Sequence, residues 1–234
     1  MNILIDKADS RGHANHGWLD TWHTFSFADY YNPQRMHFGA LRVLNDDTLI
    51  PRSGFDTHPH KNMEVVSIPL SGTLRHGDSL DNSHTIGPGQ IQVMSAGTGI
   101  YHSEYNASPD QDLGFLQIWV IPDETNTPPQ YADYDIRPLL QHNGISTFIA
   151  PGTGIALRQN AWFSWAGLDR GTACTYRMKG NNTGLYIFVI EGSIAIDETE
   201  AILDRRDGAG ITDIDSLTIT ARQPSTVLLI EVAL

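Results

Sequence analysis

A lone cysteine, Cys174, is the only thiol in this chain, so no internal disulfide can form. That fits a reducing compartment, and the expected role for Cys174 is a buried small hydrophobe rather than a reactive thiol. Long apolar runs are missing as well. Nothing approaches the ~20 residues that cross a bilayer, and Ile3-Leu4-Ile5 is broken at once by Asp6 and Lys7. The expectation is a soluble, unexported, cytoplasmic protein. Positive charge is scarce, with 15 Lys and Arg against 27 Asp and Glu and a formal net charge of −12. Such a field repels nucleic acid and anionic lipid, and no basic cluster offers a local footprint against it. Neither direct nucleic-acid binding nor membrane binding is expected. The ten histidines stop at His142, so nothing beyond that point can build an imidazole metal site. Long 3.6-residue periodicity is nearly absent too, which argues against a helical fold.

What the chain does contain is a series of short β-branched and aromatic runs separated by turn residues. Glu64 to Leu70, Ile91 to Ala96, Phe115 to Ile121, Leu185 to Glu191 and Thr226 to Val232 are clear examples, and together they predict an all-β fold. Nearly every residue from Phe115 to Val120 is apolar, so both faces of this strand should be covered, as in a sandwich or closed barrel. Two stretches look alike. "VVSIPLSGTLRHGD" leads to "GPGQIQVMSAG", and "LYIFVIEGSIAIDE" leads to "RDGAGITD". Each is an apolar strand, a tight turn ending in glycine (Ser71-Gly72, Glu191-Gly192), a second strand, and a Gly turn before a third. Gly72 to Gly89 spans 17 residues and Gly192 to Gly208 spans 16, which suggests two copies of one β unit about 120 residues apart. The Pro-rich stretch Ile121 to Gln130 is the predicted linker between them, since proline cannot donate within a central strand.

In "GFDTHPHKNMEVV", His58 and His60 stand at i and i+2, and alternate residues of a strand share a face. "GIYHSEYN" repeats the device with His102 and Glu104. Two such strands side by side would offer three nitrogens and one carboxylate oxygen to a single point. That set suits a divalent first-row metal with positions left open for water or substrate. An H-x-H pair alone is commonly incidental; the joint occurrence around the Gly-turn scaffold gives it weight. His13, His16 and His23 are read as structural, because Gly12, Gly17 and Trp18 break any regular helix. His76 and His84 flank a polar hairpin end with Asp78, Asp81 and Asn82 and are expected to be solvated, while His37 and His142 carry no signal. Gln117 shares a strand face with Phe115 and Trp119, and either donates to a site ligand or is buried beside it for packing.

Gly54, His58, His60, Glu64 and Gly72 resemble the first cupin motif, and Gly89, Gly97, His102 and Asn106 the second. Ser95 stands where the second motif has proline, and Thr98-Gly99 adds spacing before the histidine. These departures match the pirin branch, which "RGHANHGWLDTWHTFSFADYY", "THPHKNME" and "MSAGTGIYHSEYN" also resemble. The resemblance is specific over roughly residues 8 to 122 and only architectural beyond.

It implies an all-β, double-stranded β-helix (cupin) fold in two tandem β-barrel domains, residues 1–125 with a metal site and 126–234 without one. It implies one divalent transition metal per chain, Fe(II) foremost, with Ni, Mn, Cu, Zn or Co as alternatives, held by His58, His60, His102 and Glu104. Glu64 is a ligand in the general cupin pattern but is expected here to orient a ligand histidine or its neighbours. Counting back from Gly192 puts Met178 and Gly180 where His58 and His60 stand before Gly72, so the second barrel should have lost its site. The resemblance further implies quercetin 2,3-dioxygenase activity, in which a flavonol and O2 react, the central ring opens and carbon monoxide leaves. Glu104 would then also accept the flavonol 3-hydroxyl proton. Trp18, Trp22, Phe25 and Phe27 either line a flavonoid pocket or belong to the core. The alternative from another class is a non-catalytic regulator whose metal redox state changes the surface offered to a protein partner. A third reading, a sugar isomerase on the same fold, would need no oxygen.

Overall fold

Alternation of inward and outward side chains builds most of the chain into strands, and the only helical elements are two three-residue 3-10 turns, Ala8–Ser10 and Arg137–Leu139. The structure is a computed structural model that describes residues 1–234. In chain order the strands are β1 (Asn2–Asp6), β2 (Gly12–Asn15), β3 (Leu19–His23), β4 (Leu41–Leu49), β5 (Gly54–His60), β6 (Glu64–Ser71) and β7 (Leu74–Asp78). There follow β8 (Ser83–Ile86), β9 (Gln90–Ser95), β10 (Ile100–Asn106), β11 (Leu113–Val120), β12 (Gln130–Asp135), β13 (Gly144–Ile149) and β14 (Ala161–Leu168). The last are β15 (Ala173–Arg177), β16 (Thr183–Glu191), β17 (Ser193–Ile196), β18 (Ala201–Asp204), β19 (Gly208–Thr212), β20 (Ser216–Ala221) and β21 (Ser225–Ala233). No helix is long and apolar enough to cross a membrane.

The chain forms two units. The first comprises Gly12–Arg137 with Leu157–Gln159, and the second Met1–Arg11, Pro138–Ala156 and Asn160–Leu234. Each is a pair of open antiparallel sheets. The first unit has the order β12-β9-β6-β11-β4-β3-β2 in one sheet and β5-β10-β7-β8 in the other; the second has β1-β19-β16-β21-β14-β13 and β15-β20-β17-β18. From β3 to β11, each strand of the first unit has a counterpart ten places later at the same position in the second. The two copies inferred from the glycine spacing are therefore copies of a whole two-sheet sandwich.

Residues 1–125 and 126–234 are not the groups the sheets make. β1 pairs with β19, so the first eleven residues belong to the second unit, and β12 pairs with β9, so Gln130–Asp135 belongs to the first. Ile3 and Ile5 pack on the second unit's core, Asp6 accepts a hydrogen bond from the Tyr186 hydroxyl at 2.8 Å, and Lys7 meets Asp207 at 2.6 Å. The Pro-rich stretch precedes the edge strand of the first unit instead of parting the units.

The two interiors are filled differently. In the second unit Leu217, Ile219 and Ala221 of β20 point inward among Leu185, Ile187, Ile194 and Leu229, a continuous apolar core. Its counterpart β10 points Ile100, His102, Glu104 and Asn106 inward. Met178 packs against the apolar core, while the amides of Lys179 and Gly180, with the hydroxyls of Tyr176 and Thr183, donate to the buried Glu231 carboxylate. The strand end that would carry histidines is thus closed by a structural carboxylate. Cys174 is half-buried rather than buried, its thiol reaching the Asn143 carbonyl at 3.5 Å, and desolvation raises its pKa. Phe115 to Ile118 and Val120 are buried as expected, and Trp119 alone is half-open.

Gly72 and Gly192 both turn with positive φ, +73° and +92°. A Cβ on Gly192 would come within 2.4 Å of the Pro224 carbonyl, and one on Gly72 within 2.6 Å of the Asp112 carbonyl, so backbone blocks both. Gly192→Ala should therefore lower stability by more than the ~1–2 kcal/mol of a left-handed alanine. Gly167→Ala, at a position with open space around it, should cost little. Urea midpoints of the two variants measure this, and equal midpoints would contradict it.

Candidate metal centre

The histidines converge because of a register. β5 and β10 are antiparallel neighbours in which His58 lies directly opposite His102 and Ile100 opposite His60, and a bulge between His102 and Glu104 shifts the ladder. The strand period puts His60 beside His58, and the cross-strand pair puts His102 against both. Ring centroids stand 4.9 Å (His58–His60), 4.5 Å (His58–His102) and 4.7 Å (His60–His102) apart, and their ligand atoms lie within 4.8 Å of one another. Pro59 between them is tolerated because β5 is an edge strand.

The rings are prepared as ligands. His58 Nδ1 lies 2.7 Å from the Asp56 carbonyl, so it carries the proton and leaves Nε2 bare. His60 packs edge-on against Trp119 at 4.8 Å. His102 is 1% exposed with neither nitrogen hydrogen-bonded, an orphaned pair of polar atoms that a metal ion would satisfy. Burial first, and the neighbouring imidazoles second, hold His60 down to about 4 and His102 down to about 3 from 6.5. Both therefore keep a free lone pair at neutral pH.

Glu104 is also buried and faces the opposite sheet. Its Oε1 accepts from Ser67 Oγ at 2.8 Å and from Gln92 Nε2, and its Oε2 accepts from Gln117 Nε2 at 2.6 Å. These donors belong to one polar row across six paired strands: His23, Asn45, Gln117, Ser67, Gln92 and Asp133. His58, His60, Glu104 and Gln117 border a cavity of about 490 Å³ whose other walls include Phe27, Phe55, Met63 and Trp119, and His102 lies behind the other two histidines. A three-histidine cluster that could hold a metal ion, beside a partly apolar slot of this size, can receive a flat aromatic molecule.

Residues 5–120 match the pirin family, and residues 150–232 match the quercetinase C-terminal cupin domain. A protein of Escherichia coli K12 named quercetin 2,3-dioxygenase is 40% identical over 230 residues, covering 98% of each chain. This chain belongs to the pirin family. A pirin-like protein of Caulobacter vibrioides is 36% identical over 98% of this chain and 100% of its own length. Among solved structures, the bacterial pirin YhhW from E. coli in complex with nickel(II) superposes with a TM-score of 0.92, at 38% identity over 99% of both chains.

In this pirin-family chain the remaining sequence-predicted residues divide. Gln117 donates to Glu104. Glu64 makes no hydrogen bond to a site histidine; its Oε2 accepts from Ser95 Oγ at 2.6 Å and from the Arg158 amide at 3.1 Å, fastening the segment Leu157–Gln159 to its unit, and burial raises its pKa. His76 is a correction, because it is buried, not solvated. It lies opposite Glu104 in the β7–β10 ladder and so points inward, where its Nε2 meets Asp78 at 2.8 Å and its ring stacks on Tyr131 at 4.0 Å. His84 is half-exposed beside Asp133, as expected. His13 is exposed and stacked on Trp22, and His16 is exposed as well. Phe27 lines the cavity, Phe25 is core, and Trp18 packs against the hydrophobic cluster of Leu19 and Leu113. Ser67, Gln92, Asn45 and Asp47 were missed. Their signal was weak but present, as polar residues at alternate positions of otherwise apolar strands such as "QIQVMS".

His58→Ala or His102→Ala should remove most bound metal, while His13→Ala and His16→Ala should keep it, as read by metal analysis of purified protein. Loss in the second pair would place the site elsewhere. Below about 6.5 the unfolded chain takes up protons that folded His60 and His102 refuse until about 4 and about 3. The metal-free protein should thus lose stability as pH falls through that window, and His102→Leu should lose less. Thermal melts at about pH 7 and about pH 4.5 test the difference, and an equally steep fall in the variant would contradict it.

Proposed function

We propose that this protein is a metal-dependent quercetin 2,3-dioxygenase that adds O2 to a flavonol, opens its central ring and releases carbon monoxide. The observation that carries the reading is His102, buried with both nitrogens unpartnered against His58 and His60, which line a cavity with aromatic walls. His58, His60 and His102 would hold one divalent metal, Fe(II) on our reading, with Glu104 as the fourth ligand. Bound there, the metal supplies Lewis acidity and a template for flavonol and O2. Curated relatives carrying the quercetin dioxygenase name support the activity.

The chain's own residues do the rest. Ser67, Gln92 and Gln117 hold the Glu104 carboxylate in one orientation, as an acceptor for the flavonol 3-hydroxyl proton. Phe27, Phe55, Met63 and Trp119 give the flat rings an apolar slot and exclude water. The single cysteine and the absence of a basic patch fit a cytoplasmic enzyme acting on a small molecule.

Metal-loaded protein should consume quercetin and O2 together and release carbon monoxide. Glu104→Gln should retain some metal yet lose turnover by roughly a hundredfold or more, because an amide cannot accept the proton. Glu64→Gln should be milder. Quercetin oxidises by itself and free iron speeds this, so the comparison is with metal alone and with His58→Ala. Turnover no faster than those controls would leave a metal-sensing regulator as the better reading.

A further inference from the structure

β5 and β10 keep step from His60 to His58, and then β5 takes one residue more. His58 lies opposite His102 and Phe55 opposite Glu104, so three steps along β5 match two along β10. The surplus falls at Asp56 and Thr57, which are exposed and have no partner in that ladder. Gly54 brings the strands together again, since a Cβ there would clash with the Glu104 carbonyl and stand 2.6 Å from the Tyr105 Cα. Within the bulge, Asp56 is engaged at two ends. Its carbonyl accepts from His58 Nδ1 at 2.7 Å, and its carboxylate Oδ1 accepts from the Tyr105 hydroxyl. Tyr105 follows Glu104 on β10 but lies on the outer face of the sheet, where its ring is 5.6 Å from the guanidinium of Arg75, its cross-strand neighbour on β7.

The Asp56 carbonyl decides which nitrogen of His58 is bare, whereas both nitrogens of His102 lack partners. A carbonyl in a bulge is not fixed by strand pairing, so something else must hold its peptide plane. We propose that the Tyr105 hydroxyl and the Asp56 carboxylate form a clamp on the outer face of the sheet that holds the Asp56 carbonyl against His58. The clamp sets the tautomer and ring orientation of a metal ligand from outside the site. Tyr105 is then a positioning residue, which touches neither metal nor substrate and acts through Asp56. An exposed pair of this kind adds little to folding stability, so its effect shows in the ligand it orients. The inference rests on His58 as a metal ligand and holds whatever the substrate is.

The test is a double-mutant cycle read in the affinity of the metal-free protein for Ni(II) alone. Tyr105→Phe removes only the hydroxyl and keeps the ring beside Arg75. It should weaken Ni(II) binding by about three- to tenfold, the low end of what partners of ligating histidines contribute, since it acts one bond further out. In an Asp56→Ala background the same change should do nothing further. Tyr101→Phe, exposed on the same face of β10, should leave the affinity unchanged. The visible spectrum of Co(II)-loaded Tyr105→Phe should shift with the altered ligand geometry, while the melting temperature of the metal-free variant stays near that of wild type. Unchanged affinity in Tyr105→Phe would overturn the proposal, as would an equal loss in both backgrounds or in Tyr101→Phe, or a weaker site with the wild-type spectrum. His58→Ala separates the two readings. If it binds Ni(II) like wild type, the metal centre is misplaced and the clamp falls with it; if it loses Ni(II) while Tyr105→Phe does not, the clamp alone fails. Should Asp56→Ala fail to fold, Tyr105→Phe against Tyr101→Phe decides by affinity and spectrum.

Discussion

Glu104 is 1% exposed, and its two oxygens take hydrogen bonds from three side chains on the sheet opposite its own. Burying a carboxylate this far from water is costly unless its lone pairs find donors. Ser67, Gln92 and Gln117 therefore have to be polar although they sit in the middle of central strands. Their row continues sideways to Asn45 and His23, so one carboxylate sets the character of a band across the whole sheet. The same band leaves room beside it: polar side chains that point at Glu104 do not fill the interior as leucines would, and the cavity opens between them and the histidines.

The second unit shows what the same topology does without that constraint. Strand for strand its sheets repeat the order of the first, yet β20 turns leucine, isoleucine and alanine inward and the interior closes into apolar packing. Its most deeply buried carboxylate, Glu231, sits near the end of β21, where it accepts from the backbone amides of Lys179 and Gly180. A carboxylate gripped by backbone amides at a strand end fastens a loop, whereas one gripped by side chains in mid-sheet, beside three imidazoles, is placed for chemistry. Packing alone thus gives one unit a closed apolar interior and the other a buried polar cluster beside a cavity.

Proton affinity follows the same division. The desolvation that holds His60 and His102 down to about 4 and about 3 keeps them neutral and ready to ligate at physiological pH. It pushes Asp47, which has no donor beyond Thr21, up to about 7. Burial in one interior thus lowers the two bases and raises the acid, as expected where the charged form of each is the one penalised.

By itself the sequence determined the all-β class, the doubling of the β unit, and the shared strand face of His58 with His60 and of His102 with Glu104. Each rests on a local rule: β-branched runs make strands, glycine marks tight turns, and residues two apart share a face. Those rules act over a few residues, so spacing was enough. Which strands become neighbours is a long-range matter that no local spacing encodes. Only the tertiary structure could decide that β1 completes the second unit, that His76 is turned inward by its place opposite Glu104, and that Gln117 donates to Glu104 while Glu64 does not reach the histidines. The polar row belongs to the same class. A lone serine, asparagine or glutamine in an apolar strand is ambiguous in sequence, and it becomes part of a site only when pairing sets it beside five others across the sheet.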